Sequence, residues 1–170
     1  MNETQRFELG ADSEELELGT SEEHRSIAVA MVSQARRTVD ITSRHLDPAV
    51  YDNPEFHEAL KALALSGPRC RIRLFITDPA PLVSRGHRLL DLAQQLTSYV
   101  SLRKPGREHR QFNEAWLLVD SAGYVRRKFA DRFEGICDFG NARVASELGD
   151  RFDEMWERGQ EIPGLRRLHL

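Results

Sequence analysis

Chemistry in this chain has to come from few side chains. Six histidines, His24, His45, His57, His87, His109 and His169, are scattered along it. No HxxxH, HxxE or CxxC pair sets them at ligand spacing, so no metal site is expected. Each histidine reads as a surface residue: His87 on an exposed face of a helix with Arg85 and Arg88, His24 and His57 in polar helical surroundings. Cys70 and Cys137 stand apart and read as two buried free thiols. What remains is charge. Residues 101–132 carry Arg103, Lys104, Arg107, Arg110, Arg126, Arg127, Lys128 and Arg132 against four acids. Such a stretch could hold an anion, a phosphate ester or a nucleic-acid backbone. The favoured reading is plainer: a solvated face balanced by the acidic first 24 residues, which hold eight carboxylates against Arg6.

These side chains need a scaffold. At 170 residues, 40% hydrophobic and 30% charged, the sequence fits one globular domain. No apolar run approaches the ~18 residues of a membrane span. No basic segment followed by an apolar one marks a secretory leader, which points to the cytoplasm. Residues 1–19 lack periodicity and are expected as a flexible or loosely docked acidic arm, followed by a domain over 20–158 and a tail over 159–170.

Thr20 and Glu23 have capping-box spacing and should open a helix running to about Arg36. Val39–Ser43 reads as a strand, Asp47-Pro48 as a loop, and Pro54 as the first residue of a second helix stopped at Gly67-Pro68. Arg71–Thr77 is the next strand. A third helix with Leu82, Gly86, Leu89, Leu90 and Leu96 follows, then a short strand at Tyr99–Arg103. Ala115–Val119 is continuously apolar, as a strand covered on both faces must be. It pairs with Tyr124–Lys128 across Ser121-Ala122-Gly123. Gly135–Asp138 could add a strand, and Asn141 opens a last helix with Val144, Leu148, Phe152, Met155 and Trp156 on one face. Trp116 and Trp156 read as core. The alternation implies an α/β fold: a mixed sheet flanked by helices on both faces.

The segment Asn113-Glu114-Ala115-Trp116-Leu117-Leu118-Val119-Asp120 resembles the phospholipase D signature, His-x-Lys, four mostly apolar residues, then Asp. Asn113 stands at the histidine position, Ala115 at the lysine position and Asp120 at the aspartate position. The order of elements over residues 25–157 and the closing Phe152/Trp156 helix are similar too. The resemblance implies a phospholipase D-like (HKD superfamily) half domain with a degenerate motif, like half-size domains of proteobacteria. In that family histidine attacks phosphorus, lysine stabilises the phosphoryl oxygens and aspartate orients a histidine. Asn113 cannot attack phosphorus, and Ala115 brings no charge. The small-residue stretch that follows the family motif is replaced by Arg127-Lys128.

The expectation is therefore a catalytically inactive module for interaction or regulation, with no cofactor. A binder of phosphate or nucleic acid through the rim Arg103, Lys104, Arg107, Arg110, Arg126, Arg127 and Lys128 is the alternative. An enzyme with divergent chemistry in the same cleft is a third. Asp120 should act as a turn residue holding local backbone amides. A half-size domain leaves an edge and a cleft uncovered, so a homodimer is expected with Asn113–Lys128 near the twofold axis. The repulsion between copies of Arg126, Arg127 and Lys128 stands against it, unless acids such as Asp131 and Glu134 relieve it.

Overall fold

The computed structural model describes residues 7–166. Seven strands form one sheet: β1 (Leu16–Leu18), β2 (Thr38–Ser43), β3 (Arg71–Ile76), β4 (Val100–Arg103), β5 (Ala115–Val119), β6 (Gly123–Arg127) and β7 (Gly135–Asp138). Their order is β1-β7-β6-β5-β2-β3-β4. β2, β3 and β4 are mutually parallel, and the remaining pairings are antiparallel. The helices are α1 (Ser21–Val32), α2 (Pro48–Tyr51), α3 (Pro54–Leu65), α4 (Ala80–Arg85), α5 (Arg88–Gln95), α6 (Ala142–Glu157) and α7 (Pro163–Arg166). One sheet face packs against α1, α3 and α5 through Ile27, Met31, Phe56, Leu60, Leu89 and Leu92. The other packs against α6 through Phe75, Trp116, Leu118, Phe152 and Trp156. This is the mixed, doubly covered α/β sheet that the alternation implied.

Local signals explain most boundaries. The Thr20 hydroxyl accepts from the Glu23 amide while the Glu23 carboxylate reaches back to the Thr20 amide, so α1 begins with a capping box. Asn53 caps α3 with Pro54 behind it, and Asn141 caps α6.

Four expectations need correction. α1 ends at Val32, not near Arg36, because the chain must turn into β2. Asp47-Pro48 starts the short helix α2 instead of a loop. The third helix is two, broken at Gly86, whose φ of 78° is open to glycine and costly for other residues. The acidic arm is not free where it is described. Leu16–Leu18 pair with Gly135–Cys137, and Phe7 stacks on Phe139. Three alternating residues give too short a pattern to register as a strand, and the neighbouring acids hid it. Residues 1–6 and 167–170, with His169, lie outside the described residues.

Candidate functional site

The C-terminal ends of β2, β3, β4 and β6 and the N-terminal ends of β5 and β7 share one edge of the sheet, as their directions require. In open α/β sheets this edge is where loops gather ligand-binding groups. Asn113, just before β5, is exposed there, and its carbonyl accepts from the Ala130 amide at 2.8 Å. Ala115 is buried as the first residue of β5, with Arg127 directly opposite on β6.

Arg127 shares Ala115's sheet face and fills the space beneath this edge. It is only 3% exposed. Its guanidinium donates to Asp47 Oδ2 (2.6 Å), to the Arg132 carbonyl (2.6 Å) and to the Ala130 carbonyl (2.7 Å), and lies over the Phe133 ring. His24 and Tyr51, both buried, complete the cluster. Burial pushes the Tyr51 hydroxyl well above its ordinary pKa. Burial likewise holds His24 below its ordinary value, with Arg127 adding repulsion, so His24 is neutral and donates from Nε2 to the Phe133 carbonyl. This polar cluster was missed from the sequence. Its one legible signal was alternation, which puts Arg126 and Arg127 on opposite faces of β6.

The expected basic rim is therefore divided. Arg126, on the α6 face, pairs with Glu114 at 2.8 Å. Burial works against the Glu114 carboxylate, yet hydrogen bonds from Arg126 and Trp116 hold its pKa below the usual range. Arg103 lies over Trp156 and donates to its carbonyl at 2.7 Å. Lys104 joins Gln160 in a two-residue bridge through its backbone. Arg107, Arg110, Lys128 and Arg132 are exposed and make no ion pair among the described residues. Arg127 is not part of any exposed rim, because its charge is spent inside the fold.

Asp120 sits at the opposite end of β5 from Asn113, about 23 Å away at ~3.3 Å per residue. It cannot orient a group at the motif's first position. Nor are its amides local: the carboxylate accepts from the backbone N–H groups of Arg36, Arg37 and Thr38 at 2.7, 2.8 and 2.9 Å.

Two histidines read as surface residues are buried. His24 is described above. His87 caps α5: its Nδ1 accepts from the Leu89 amide, and its Nε2 donates to the Leu46 carbonyl. Both ring nitrogens are thus committed in the neutral tautomer, and burial lowers the pKa. For such a base the unfolded chain takes up a proton before the folded one. Stability should then fall as pH drops below about 6.5, the unfolded value, and stop falling below the folded value. Urea unfolding at pH 7.5 and 5.5 checks this. His87→Gln should shrink the difference in midpoint between the two pH values; an unchanged difference in both His87→Gln and His24→Gln would assign the loss to other groups. Cys70 and Cys137 are buried free thiols, and burial pushes Cys137 up to about 12.

Among the described residues no group of three or more His, Cys, Asp or Glu could hold a metal ion, and no helix is long and apolar enough to cross a membrane. The family model for a domain of unknown function, DUF7931, matches residues 20–168. No curated protein matches the chain in sequence. Solved structures share the fold. TrmBL2, described as an archaeal chromatin protein with a novel mode of DNA binding, aligns at a TM-score of 0.63 and 14% identity over 87% of this chain and 54% of its own, so the chain spans about half its length. NucT from Helicobacter pylori aligns at 0.62 and 10% identity over 89% and 100%. Nuc from Salmonella typhimurium, described as a phospholipase D family member, aligns at 0.56 and 14% over 88% and 99%. The fold is phospholipase D-like.

Proposed function

For a chain that belongs to the DUF7931 family of domains of unknown function, we propose the role of a catalytically silent phospholipase D-like module that acts by contact, as an interaction or regulatory domain. The observation that carries this reading is the Arg127 cluster. Where the resembled motif has a nucleophile and a cation, this chain has an exposed amide and a buried methyl group. An amide neither attacks phosphorus nor shuttles protons near neutral pH. The guanidinium opposite Ala115 is bound to a carboxylate and two carbonyls, and is not free to stabilise a phosphoryl oxygen.

The test is turnover of bis(p-nitrophenyl) phosphate. The wild-type chain is expected to show none. The double variant Asn113→His, Ala115→Lys is expected to stay inactive, because the lysine would enter beside the Arg127–Asp47 pair. Robust wild-type turnover would overturn the reading.

A second reading has its own support. Arg107, Arg110, Lys128 and Arg132 are exposed and lie in segments next to the same sheet edge. They could hold a phosphodiester backbone, and a fold neighbour is described as binding DNA. An electrophoretic shift of DNA and RNA at two salt concentrations separates the two. Binding that weakens steeply with salt supports this second reading.

A further inference from the structure

The sheet face under α6 is packed unevenly. Towards the end of the helix Phe152, Met155 and Trp156 fill it. Earlier, α6 offers Ala145, Ser146 and Gly149, and these small residues border a hollow of about 170 Å³. Its floor is ionic. In the parallel register of β2 and β3, Thr38 stands beside Arg71 and Asp40 beside Arg73, and all four line the hollow. Arg73, itself buried, holds Asp40 through hydrogen bonds of 2.7 and 3.0 Å and Asp153 of α6 through one of 2.6 Å. Stability alone seldom calls for a buried ion pair, since apolar residues of similar volume often serve as well. Nor does packing call for Gly149. Glycine inside a helix is destabilising. Its φ is not positive, and a Cβ there would meet nothing within 4 Å. The missing side chain leaves the hollow open.

Two opposite charges at this hollow are left unmet. The Arg71 side chain is half exposed, and its one ion pair among the described residues, with Asp40, is 3.9 Å long. The Asp150 carboxylate has no hydrogen bond or ion pair among the described residues. Both line the same hollow, yet they do not pair with each other. The space is too small for a nucleotide, since a cavity of roughly 150 Å³ takes a ligand the size of benzene. We propose that the hollow binds a small zwitterion of the α-amino acid class, with its carboxylate on Arg71 and its ammonium on Asp150. The planar guanidinium suits a carboxylate, and a carboxylate suits the ammonium. One such molecule meets both charges at once, which a simple anion or a simple cation does not. The hydroxyls of Thr38, Ser121 and Ser146 also line the hollow and favour a ligand with a short polar side chain. Thr38 and Arg71 begin their strands, so this site lies at the opposite edge of the sheet from Asn113. Bound there, the ligand ties α6 to β3.

Titration with L-serine to 10 mM, followed by the backbone amide signals of the isotope-labelled chain, tests the site. Saturable shifts at Arg71 and Gly149 are expected, with a dissociation constant of about 1 mM or tighter. 3-Hydroxypropionate lacks the ammonium and ethanolamine lacks the carboxylate. Each should bind about 10-fold more weakly or worse, the scale of one lost hydrogen bond between charged groups. Arg71→Gln and Asp150→Asn should weaken L-serine by a similar factor. Both side chains reach solvent, so unchanged circular dichroism should show an intact fold. Gly149→Leu should abolish binding by filling the hollow, with a urea midpoint no lower than that of the wild type. No saturable shift with L-serine, glycine or L-alanine overturns the proposal. So does binding indifferent to both Arg71→Gln and Asp150→Asn, or equal affinity for L-serine and either of its halves. None of these outcomes touches the absence of turnover, which the phosphodiesterase assay decides separately.

Discussion

Arg127→Ala is expected to destabilise the fold by about 3–5 kcal/mol, the usual loss when one partner of a buried ion pair is removed. The substitution strips Asp47 of its charge partner and leaves the Ala130 and Arg132 carbonyls without a donor. It also opens a void against Phe133, over which the guanidinium lies. Urea denaturation measures the loss directly; in a heat scan the midpoint should drop by roughly 10 °C or more for a domain of this size. The double variant Arg127→Met, Asp47→Leu should recover much of it, since a buried ion pair replaced by apolar groups of similar volume often breaks even. A single Arg127→Ala costing under about 1 kcal/mol, the range of an exposed pair, would show that this arginine is not a structural plug. It would return Arg127 to the set of cations available to a ligand.

The sheet was legible because its elements announce themselves locally. Caps at Thr20, Asn53 and Asn141 and the apolar run Ala115–Val119 fix where chain segments begin and which are covered on both sides. The functional edge was less legible. Composition counts Arg126, Arg127 and Lys128 as three like charges. In the fold they have three fates: paired on one face, buried on the other, and exposed past the end of the strand. Alternation could separate the first two, but Asp47, which decides what Arg127 does, is 80 residues away. The buried histidines failed to register for the same reason. His87 looks polar among Arg85 and Arg88, and only the left-handed turn at Leu46, held by Ser43 and His87, shows why it turns inward.

Asp120→Ala is the second substitution expected to act strongly, at about 2–4 kcal/mol. Hydrogen bonds to a charged group are worth more than neutral ones, and here one carboxylate serves three backbone donors. Those donors lie between the end of α1 and the start of β2, so Asp120 fastens the β5–β6 turn to the segment that leads into the central strand. Its own backbone is left-handed, at φ 56°, a conformation that aspartate and asparagine tolerate better than alanine does. Asp120→Asn keeps that conformation and one acceptor oxygen but turns an NH₂ group towards amide donors. It should cost less than alanine and more than a lone neutral hydrogen bond. The proposed reading gives this residue a particular meaning. The two motif positions that would have done chemistry carry Asn113 and Ala115, and the one that still matches sits at the far end of the strand, where it holds backbone together. Silencing a site at one edge of a sheet leaves the mechanical requirement at the other edge untouched. Hydrogen exchange can report the tie itself. In Asp120→Ala the Arg36, Arg37 and Thr38 amides should lose protection before the core strands do. Equal protection in both proteins, together with a stability change below about 1 kcal/mol, would reduce Asp120 to an ordinary turn residue.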